Sequence, residues 1–284
     1  MRRILVSLLA LLTLAAPARA ACPDMAAMAR HAQAILERRS PSPIPGLSPQ
    51  DARCAQDRLV AFLAQPWGDV VGWTVGLSGA EARRAYGTDQ PVRGALFHGT
   101  LRAQSPARLP ARFGAVPMVE AGLLLRIGQD GIAAAGEDPV ALLGHVDEVI
   151  PFLALPDAVF APGTAPGLAN LLSINLGTRL GAVGQPVPVQ ATPDFARSLG
   201  EMVVVLADER REMARAPGRA ILGHPLNALA WLARDLAREG RALRAGEYVA
   251  IGGFAPSVPV EAGRTYTLRY DGLPGAEPVV VTLE

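Results

Sequence analysis

The side chains that could carry out chemistry in this chain are restricted in type. Lysine is absent, so all 27 basic residues are arginines. The chain therefore offers no lysine as a general base, as a Schiff-base former or as an ammonium clamp on an anionic substrate. The remaining candidates for proton transfer are the carboxylates and the four histidines.

Motifs of several common enzyme classes are missing from the sequence. The segment GLSGAE at residues 76–81 does not match the G-x-S-x-G elbow of serine hydrolases. Neither a phosphate-binding loop nor a dinucleotide-binding glycine fingerprint occurs. The sequence thus gives no support to a serine hydrolase or to a nucleotide-dependent enzyme.

The two cysteines, Cys22 and Cys54, fall in a segment whose pattern predicts two helices. A cysteine pair of this kind fits an oxidising compartment, and we predict a disulfide between them. Closing a loop of this length stabilises a fold by roughly 3 to 4 kcal/mol in the chain-entropy model. The alternative is a metal or redox pair, for which only His31 lies nearby in sequence.

Residues 1–20 have the pattern of a secretory signal peptide. Arg2 and Arg3 precede an apolar run too short to span a bilayer, and Ala18-Arg19-Ala20 forms an A-x-A cleavage site. We predict cleavage after Ala20 and a soluble periplasmic or secreted protein without a membrane segment. Cleavage would change the formal net charge from +1 to −2, because residues 1–20 carry three arginines and no acid. A protein of this charge is not expected to bind nucleic acid.

The elements that must position the candidate residues are mostly strands. The clearest helix covers residues 225–239, where apolar residues recur at helical spacing. Two amphipathic helices are predicted near the N-terminus, at 24–39 and from Ser48 to just before Pro66. Further predictions are strands at 69–77, 95–97, 117–128, 187–190, 200–207, 266–270 and 278–283, short helices at 80–86 and 139–148, and a strand-and-turn region at 168–181. This pattern predicts one β-rich α+β domain over 21–284, with a helical part at 21–66 and a β-rich core at 67–284.

The segment 221–253, ILGHPLNALAWLARDLAREGRALRAGEYVAIGG, is similar to the C-terminal signature of the 2-keto-4-pentenoate hydratase family. That family includes 2-oxo-3-hexenedioate decarboxylases and belongs to the fumarylacetoacetate hydrolase superfamily. The resemblance implies a mixed, rolled β-sheet around a central pocket, with two helices at the N-terminus. It also implies that His224 caps or orients a Gly-His-Pro turn, and that the protein forms a homo-oligomer.

The family holds Mg²⁺ or Mn²⁺ through a V-E-x-E strand and a third glutamate, and the metal stabilises the enolate of a 2-oxo acid. A lysine and a further acid then move protons. In this chain Glu120 matches the first metal position, whereas Gly122 and Ala154 occupy the other two. Thr74 stands at the position of the lysine, and Val92 at that of the acid.

One carboxylate does not hold Mg²⁺ against water, so the sequence predicts no metal cofactor. We expect Glu120 and His98 to be the catalytic candidates and Thr74, Asp89, Gly122 and Ala154 to line the pocket. A buried Glu120 without a metal would have its pKa raised by desolvation. The family's Asp-Asn pair is not located with certainty, because Asn170 and Asn175 both fit.

Three functions remain open on this basis. The first is a protein with a degenerate metal site that binds a small 2-oxo acid or a similar organic ligand. The second is an active hydro-lyase or decarboxylase with a rebuilt site, in which His98, Glu120 and Asp89 serve as acid and base. The third is a structural or partner-binding subunit whose pocket is filled.

Overall fold

The protein is described by a computed structural model that covers residues 22–284. The predicted signal peptide and its cleavage site lie outside this range. Within it, no helix combines the length and the hydropathy that crossing a membrane requires.

Seven α-helices occur in residues 22–284. They are α1 Met25–Leu36, α2 Pro49–Trp67, α3 Ala80–Ala85, α4 Pro139–Leu143, α5 Gly167–Ser173, α6 Pro193–Glu201 and α7 Pro225–Arg238. Ser48 caps α2 as predicted, because its hydroxyl accepts a hydrogen bond from the amide of Asp51 at 3.1 Å. Helix α2 runs through Pro66, where the sequence predicted its end. A proline removes one helical hydrogen bond and its ring crowds the carbonyl four residues earlier, and α2 ends one residue later, at Trp67.

Fourteen strands form two sheets in the same range. They are β1 Val70–Gly76, β2 Val92–Phe97, β3 Ala103–Gln104, β4 Ala107–Leu109, β5 Met118–Ile127, β6 Val146–Leu155, β7 Leu180–Val183, β8 Val187–Pro188, β9 Val203–Asp208, β10 Glu212–Pro217, β11 Tyr248–Ile251, β12 Val258–Pro259, β13 Arg264–Asp271 and β14 Val279–Leu283. The larger sheet has the order β2-β1-β11-β5-β6-β7-β3, with β12 beside β5 and β8 beside β6. The smaller sheet has the order β10-β9-β13-β14-β4. Strands β1 and β11 run parallel while most other pairs are antiparallel, which confirms the mixed sheet.

The middle of the chain differs from the sequence prediction at two places. The helix predicted at 139–148 ends at Leu143, because residues from Val146 onward pair with β5 as the strand β6. The region predicted as strand and turn at 168–181 is mostly helical, and only its end belongs to β7. Helix α5 packs against α2, so a tertiary contact decided its conformation.

A third difference concerns α6, which the sequence analysis did not predict. Thr192 caps this helix by accepting a hydrogen bond from the amide of Phe195 at 3.3 Å. The strand predicted at 200–207 therefore begins only at Val203, as β9.

The main core lies between the larger sheet, the smaller sheet and α7. The predicted apolar positions of α7 are buried: Leu229, Leu232, Ala233 and Leu236. A second cluster packs α1 and α2 against Phe97 at the end of β2. The N-terminal helices are therefore part of the same packed domain.

The predicted disulfide is present. Cys22 is bonded to Cys54 in α2, and the two Cα atoms are 5.6 Å apart. The bond fixes the segment that precedes α1 to the helix that packs beside it.

Candidate functional site

A cavity of about 690 Å³ opens beside the larger sheet. Residues from β1, β5, β6 and β11 line it, together with α3 and the loop that follows β11. This volume lies in the range of small-molecule binding sites, roughly 300 to 1,000 Å³.

Four positions that the family resemblance singled out line this cavity together. They are Thr74 on β1, Val92 on β2, Glu120 on β5 and Ala154 on β6. Glu120 and Ala154 are direct cross-strand partners in the antiparallel pair of β5 and β6. Because side chains alternate along a strand, Gly122 and its partner Phe152 face the same side as Glu120 and Ala154. The sheet register thus brings these positions together.

The ring of Phe152 occupies the space above Gly122. A Cβ atom at Gly122 would lie 3.1 Å from Cδ1 of Phe152 and equally close to its carbonyl oxygen. Phe152 therefore lines the cavity, whereas Gly122 does not. The prediction that Gly122 lines the pocket is wrong for this reason, and the sequence analysis overlooked Phe152. The sequence could have indicated Phe152 as a lining residue, because it lies two residues before Ala154 and therefore on the same face of the strand.

Tyr270 on β13 holds Phe152 and Gly122 in place from the opposite side of the sheet. Its hydroxyl donates a hydrogen bond to the carbonyl oxygen of Gly122 and accepts one from the amide of Phe152 at 3.0 Å. Burial raises the pKa of this hydroxyl, so it remains a neutral hydrogen-bonding group. Hydrogen bonds to a residue of the main core therefore fix the part of the cavity lining around Phe152.

Glu120 is the carboxylic acid best placed for chemistry in the cavity. Its Oε1 atom accepts a hydrogen bond from the amide of Gly253 at 2.7 Å. A Cβ atom at the neighbouring Gly252 would collide with Oε1, so a side chain there would displace the Glu120 carboxyl group from this position. The side chain is partly exposed because it faces the cavity, yet protein surrounds it. Burial raises the pKa of Glu120 to about 7, although the hydrogen bond from Gly253 opposes the shift. Such a carboxyl group can donate or accept a proton near neutral pH.

His98 and Asp89 lie outside the cavity lining. His98 begins a short 3-10 turn after β2, and its side chain is exposed. The antiparallel register sets Phe97 opposite Val70, at the far end of β1 from the cavity. Asp89 is exposed in the loop before β2. The structure therefore does not bring either residue to Glu120, contrary to the predicted acid–base set.

Other polar residues near the cavity have structural partners. The carboxylate of Asp157 accepts hydrogen bonds from the amides of Ala115, Val116 and Val159. Asn175 pairs with the backbone of Ala95, with its Oδ1 2.7 Å from the amide nitrogen.

The other candidate for the Asp-Asn pair, Asn170, pairs in the same way with the backbone of Ile44. Neither asparagine is left free for a ligand.

His224 is likewise structural, as predicted. Its Nδ1 accepts from the amide of Leu226 at 3.1 Å, and its Nε2 donates to the carbonyl of Ala196 at 2.8 Å.

The residues of the cavity do not fit the divalent ion that the family uses. Within residues 22–284 no group of three or more His, Cys, Asp or Glu side chains could hold a metal ion. A divalent ion bound to Glu120 would need two further carboxylates beside it. The methyl group of Ala154 and the ring of Phe152 lie in that space instead. Mg²⁺ requires several oxygen ligands in near-octahedral geometry.

Comparisons with known proteins agree with the fold and with the family resemblance. No family model matches the sequence. The chain is 32% identical over 213 residues to 2-keto-4-pentenoate hydratase of Burkholderia vietnamiensis, covering 72% of this chain and 75% of the relative. It is 30% identical over 208 residues to 2-keto-4-pentenoate hydratase of Paraburkholderia xenovorans, covering 72% of this chain and 73% of the relative.

Among solved structures, the fold is similar to 4-oxalocrotonate decarboxylase from Pseudomonas putida G7, complexed with magnesium and adipate. The TM-score is 0.79 at 22% identity, and the likeness covers 92% of this chain and 97% of that protein. The chain belongs to the 2-keto-4-pentenoate hydratase and decarboxylase family of the fumarylacetoacetate hydrolase superfamily.

Proposed function

We propose that this protein is an exported, hydratase-like protein that binds a small organic ligand in its cavity without a divalent metal ion. One observation carries the proposal. The cavity retains a volume of about 690 Å³. Phe152 and Ala154 line it on the side of Glu120, and neither supplies the carboxylate that the family's metal chemistry would need there. A pocket that is open but has lost its metal ligands can still bind.

The proposed export rests on the first 20 residues and is supported by the disulfide. Cys22 is bonded to Cys54, and such bonds persist in oxidising compartments and are rare in the cytosol. Cys22 would become the second residue of the mature chain after cleavage behind Ala20. N-terminal sequencing of the protein recovered from a periplasmic extract tests this assignment directly.

The names of the relatives indicate the size of the ligand. The relatives hydrate 2-keto-4-pentenoate, a five-carbon compound by name, and the similar decarboxylase structure contains adipate. We therefore propose a ligand with a chain of five or six carbon atoms for the cavity of this protein. A ligand of this size fits readily in the volume available.

Calorimetric titration with oxalate, which mimics the enolate of a 2-oxo acid, tests the role of the metal. The same titration is run with Mg²⁺ and with EDTA, and Mg²⁺ is titrated alone. We expect no heat of Mg²⁺ binding and no gain in oxalate affinity from the metal. Binding of oxalate that appears only with Mg²⁺ would contradict the proposal, because it requires a metal site.

A second function, a metal-independent hydro-lyase or decarboxylase, is favoured by the pKa of Glu120 near 7. At neutral pH the ionised carboxyl group could accept a proton from a water molecule as its oxygen adds to the double bond of an unsaturated 2-oxo acid, and could pass that proton to the neighbouring carbon atom. The test is the turnover of 2-keto-4-pentenoate, supplied as its conjugated dienol tautomer, by the wild type and by Glu120→Gln, followed by the loss of the dienol absorbance. Glutamine keeps an acceptor for the Gly253 amide but cannot transfer protons. Turnover that is present in the wild type and lost in the variant would support the lyase, whereas equal rates would exclude Glu120 as its base.

A further inference from the structure

The cavity lining contains no positively charged side chain. The charged residues that line it are all acidic: Glu81, Glu120 and Asp157. Lysine is absent from the whole sequence, and neither an arginine nor a histidine is among the lining residues of the described part of the chain. Asp157 already accepts three backbone hydrogen bonds. The electrostatic character of the site is therefore neutral to negative.

Arginines do lie next to lining residues in sequence, but they point elsewhere. Arg83 on α3 donates to the carbonyl oxygens of Leu77, at 3.1 Å, and Ser78, at 2.6 Å. These hydrogen bonds hold the guanidinium group against the turn that precedes α3. Leu77 lines the cavity, whereas Arg83 itself is not among the lining residues, and both hydrogen bonds of its guanidinium go to backbone carbonyls.

Arg93 follows Val92, which lines the cavity, yet its guanidinium forms ion pairs with Asp235 and Glu239 on α7. Only 5% of the Arg93 side chain is exposed, so these partners fix it on the far side of the sheet. Two acidic partners neutralise its charge there.

Arg179 lies between Thr178 and Leu180, which both line the cavity. Its guanidinium instead stacks on the ring of Trp67, 4.6 Å from the ring centre. Burial lowers the pKa of this arginine, which is consistent with a cation packed inside the protein. The charge of Asp157, which lines the cavity, opposes this lowering of the pKa. Two further arginines adjoin lining residues in sequence, and both are exposed: Arg84 and Arg219.

We propose that the cavity selects a ligand without negative charge: a mainly apolar molecule whose uncharged polar group, such as a primary amide, meets Glu120. This inference rests on the proposed binding function and replaces the organic acid that the family resemblance led us to expect. Transfer of a carboxylate into an apolar site without a cation is far less favourable than transfer of a neutral group that can form hydrogen bonds.

Glu120 reinforces this selection when it is ionised. Its Oε1 accepts from Gly253, and within residues 22–284 no hydrogen bond engages Oε2. When ionised, Oε2 repels a carboxylate and accepts from an amide N–H group. When protonated, it can donate to an amide carbonyl and to a carboxylate alike, so the two kinds of ligand are compared at a pH at which Glu120 is ionised.

A matched pair of probes tests the selection by charge. We use 2-oxopentanoate and 2-oxopentanamide, which share a carbon skeleton and a ketone and differ in the ionised group. Isothermal titration at pH 8 without metal should show at least about tenfold tighter binding of the amide. Equal or tighter binding of the acid would overturn the inference and leave the proposed binding function intact.

Thr74→Lys provides the converse test, because Thr74 lines the cavity beside the other family positions. An ammonium group there should raise the affinity for 2-oxopentanoate by about tenfold or more relative to wild type. The control is Thr74→Met, which has similar length without charge and should keep the preference for the amide. Absence of any gain in the lysine variant would overturn the inference. If neither probe binds to any of the three proteins, the proposed binding function falls as well.

Discussion

The ring of Phe152 packs over Gly122, its direct cross-strand partner, with a distance of only 3.1 Å between Cδ1 and the position that a Cβ of residue 122 would take. The pair forms where the family's second metal carboxylate would project from β5. Tyr270 fixes both partners through hydrogen bonds from the other sheet. The space over Gly122 is therefore filled by a packed and hydrogen-bonded residue and is not an empty gap.

Gly122→Glu should destabilise the protein because its side chain must displace the Phe152 ring. Overpacking of this kind costs about 1 to 3 kcal/mol. Urea unfolding followed by circular dichroism measures the loss. Ala133→Glu, on an exposed turn, serves as the control and should change stability by less than about 0.5 kcal/mol. A Gly122→Glu variant as stable as this control would show that the ring moves away freely.

Rebuilding the acidic set should create a metal site. The triple variant Gly122→Glu, Phe152→Ala, Ala154→Glu adds two carboxylates to that of Glu120 on one face of β5 and β6 and removes the obstructing ring. We expect its thermal midpoint to rise with millimolar Mg²⁺ or Mn²⁺, since binding to the folded state stabilises it. The double variant without Gly122→Glu should respond less. Equal responses of the two variants would show that residue 122 cannot contribute a ligand.

The stability of the protein should depend on the ionisation of Glu120. Burial raises its pKa from 4.5 to about 7, so between these pH values the folded state binds more protons than the unfolded state. The neutral carboxyl group contributes at most about 3 kcal/mol to the free energy of unfolding. This contribution is complete below pH 4.5 and is lost as the pH rises through 7. Glu120→Gln should remove this loss, so that its stability relative to wild type increases from pH 5 to pH 8. The exposed Glu201→Gln is the control, and a parallel pH profile for both variants would contradict the assignment.

Removal of the disulfide should weaken the fold without altering the cavity. The bond spans 32 positions of sequence, and its loss should lower the free energy of unfolding by about 3 to 4 kcal/mol in the chain-entropy model. Guanidinium unfolding of the wild type with and without dithiothreitol measures this difference. The variant Cys22→Ser, Cys54→Ser should match the reduced wild type and be insensitive to the reductant. A reductant effect that persists in the variant would show that the thiol chemistry is not its cause.

His224 should contribute to stability through the start of α7. His224→Ala removes the acceptor for the Leu226 amide and the bond to the carbonyl of Ala196, and should lower stability by about 1 to 2 kcal/mol. His224→Asn retains a good cap but not the bond to α6, so we expect an intermediate value. Thermal unfolding of the three proteins checks this order. An asparagine variant as unstable as the alanine variant would assign the effect to the contact with α6.

The sequence alone predicted the features that depend on local pattern or residue identity. The period of apolar residues in α7, the start of α2 at Ser48 and the strand β5 follow from patterns within a single element. The missing carboxylates at Gly122 and Ala154 could also be read from the sequence once the family resemblance had aligned them. No knowledge of the packing was needed for these predictions.

The tertiary structure decided which residues share the cavity. The family resemblance suggested His98 and Asp89 as partners of Glu120. The register of β1 and β2 instead places His98 at the far end of β1, and Asp89 is exposed in the loop before β2. The same long-range pairing brings Phe152 over Gly122 and turns Arg93 towards α7. Local patterns cannot predict such contacts, because a strand's neighbours and the direction of a long side chain depend on segments far away in the sequence. The charge and the shape of the binding site therefore emerge only when the sheets are assembled.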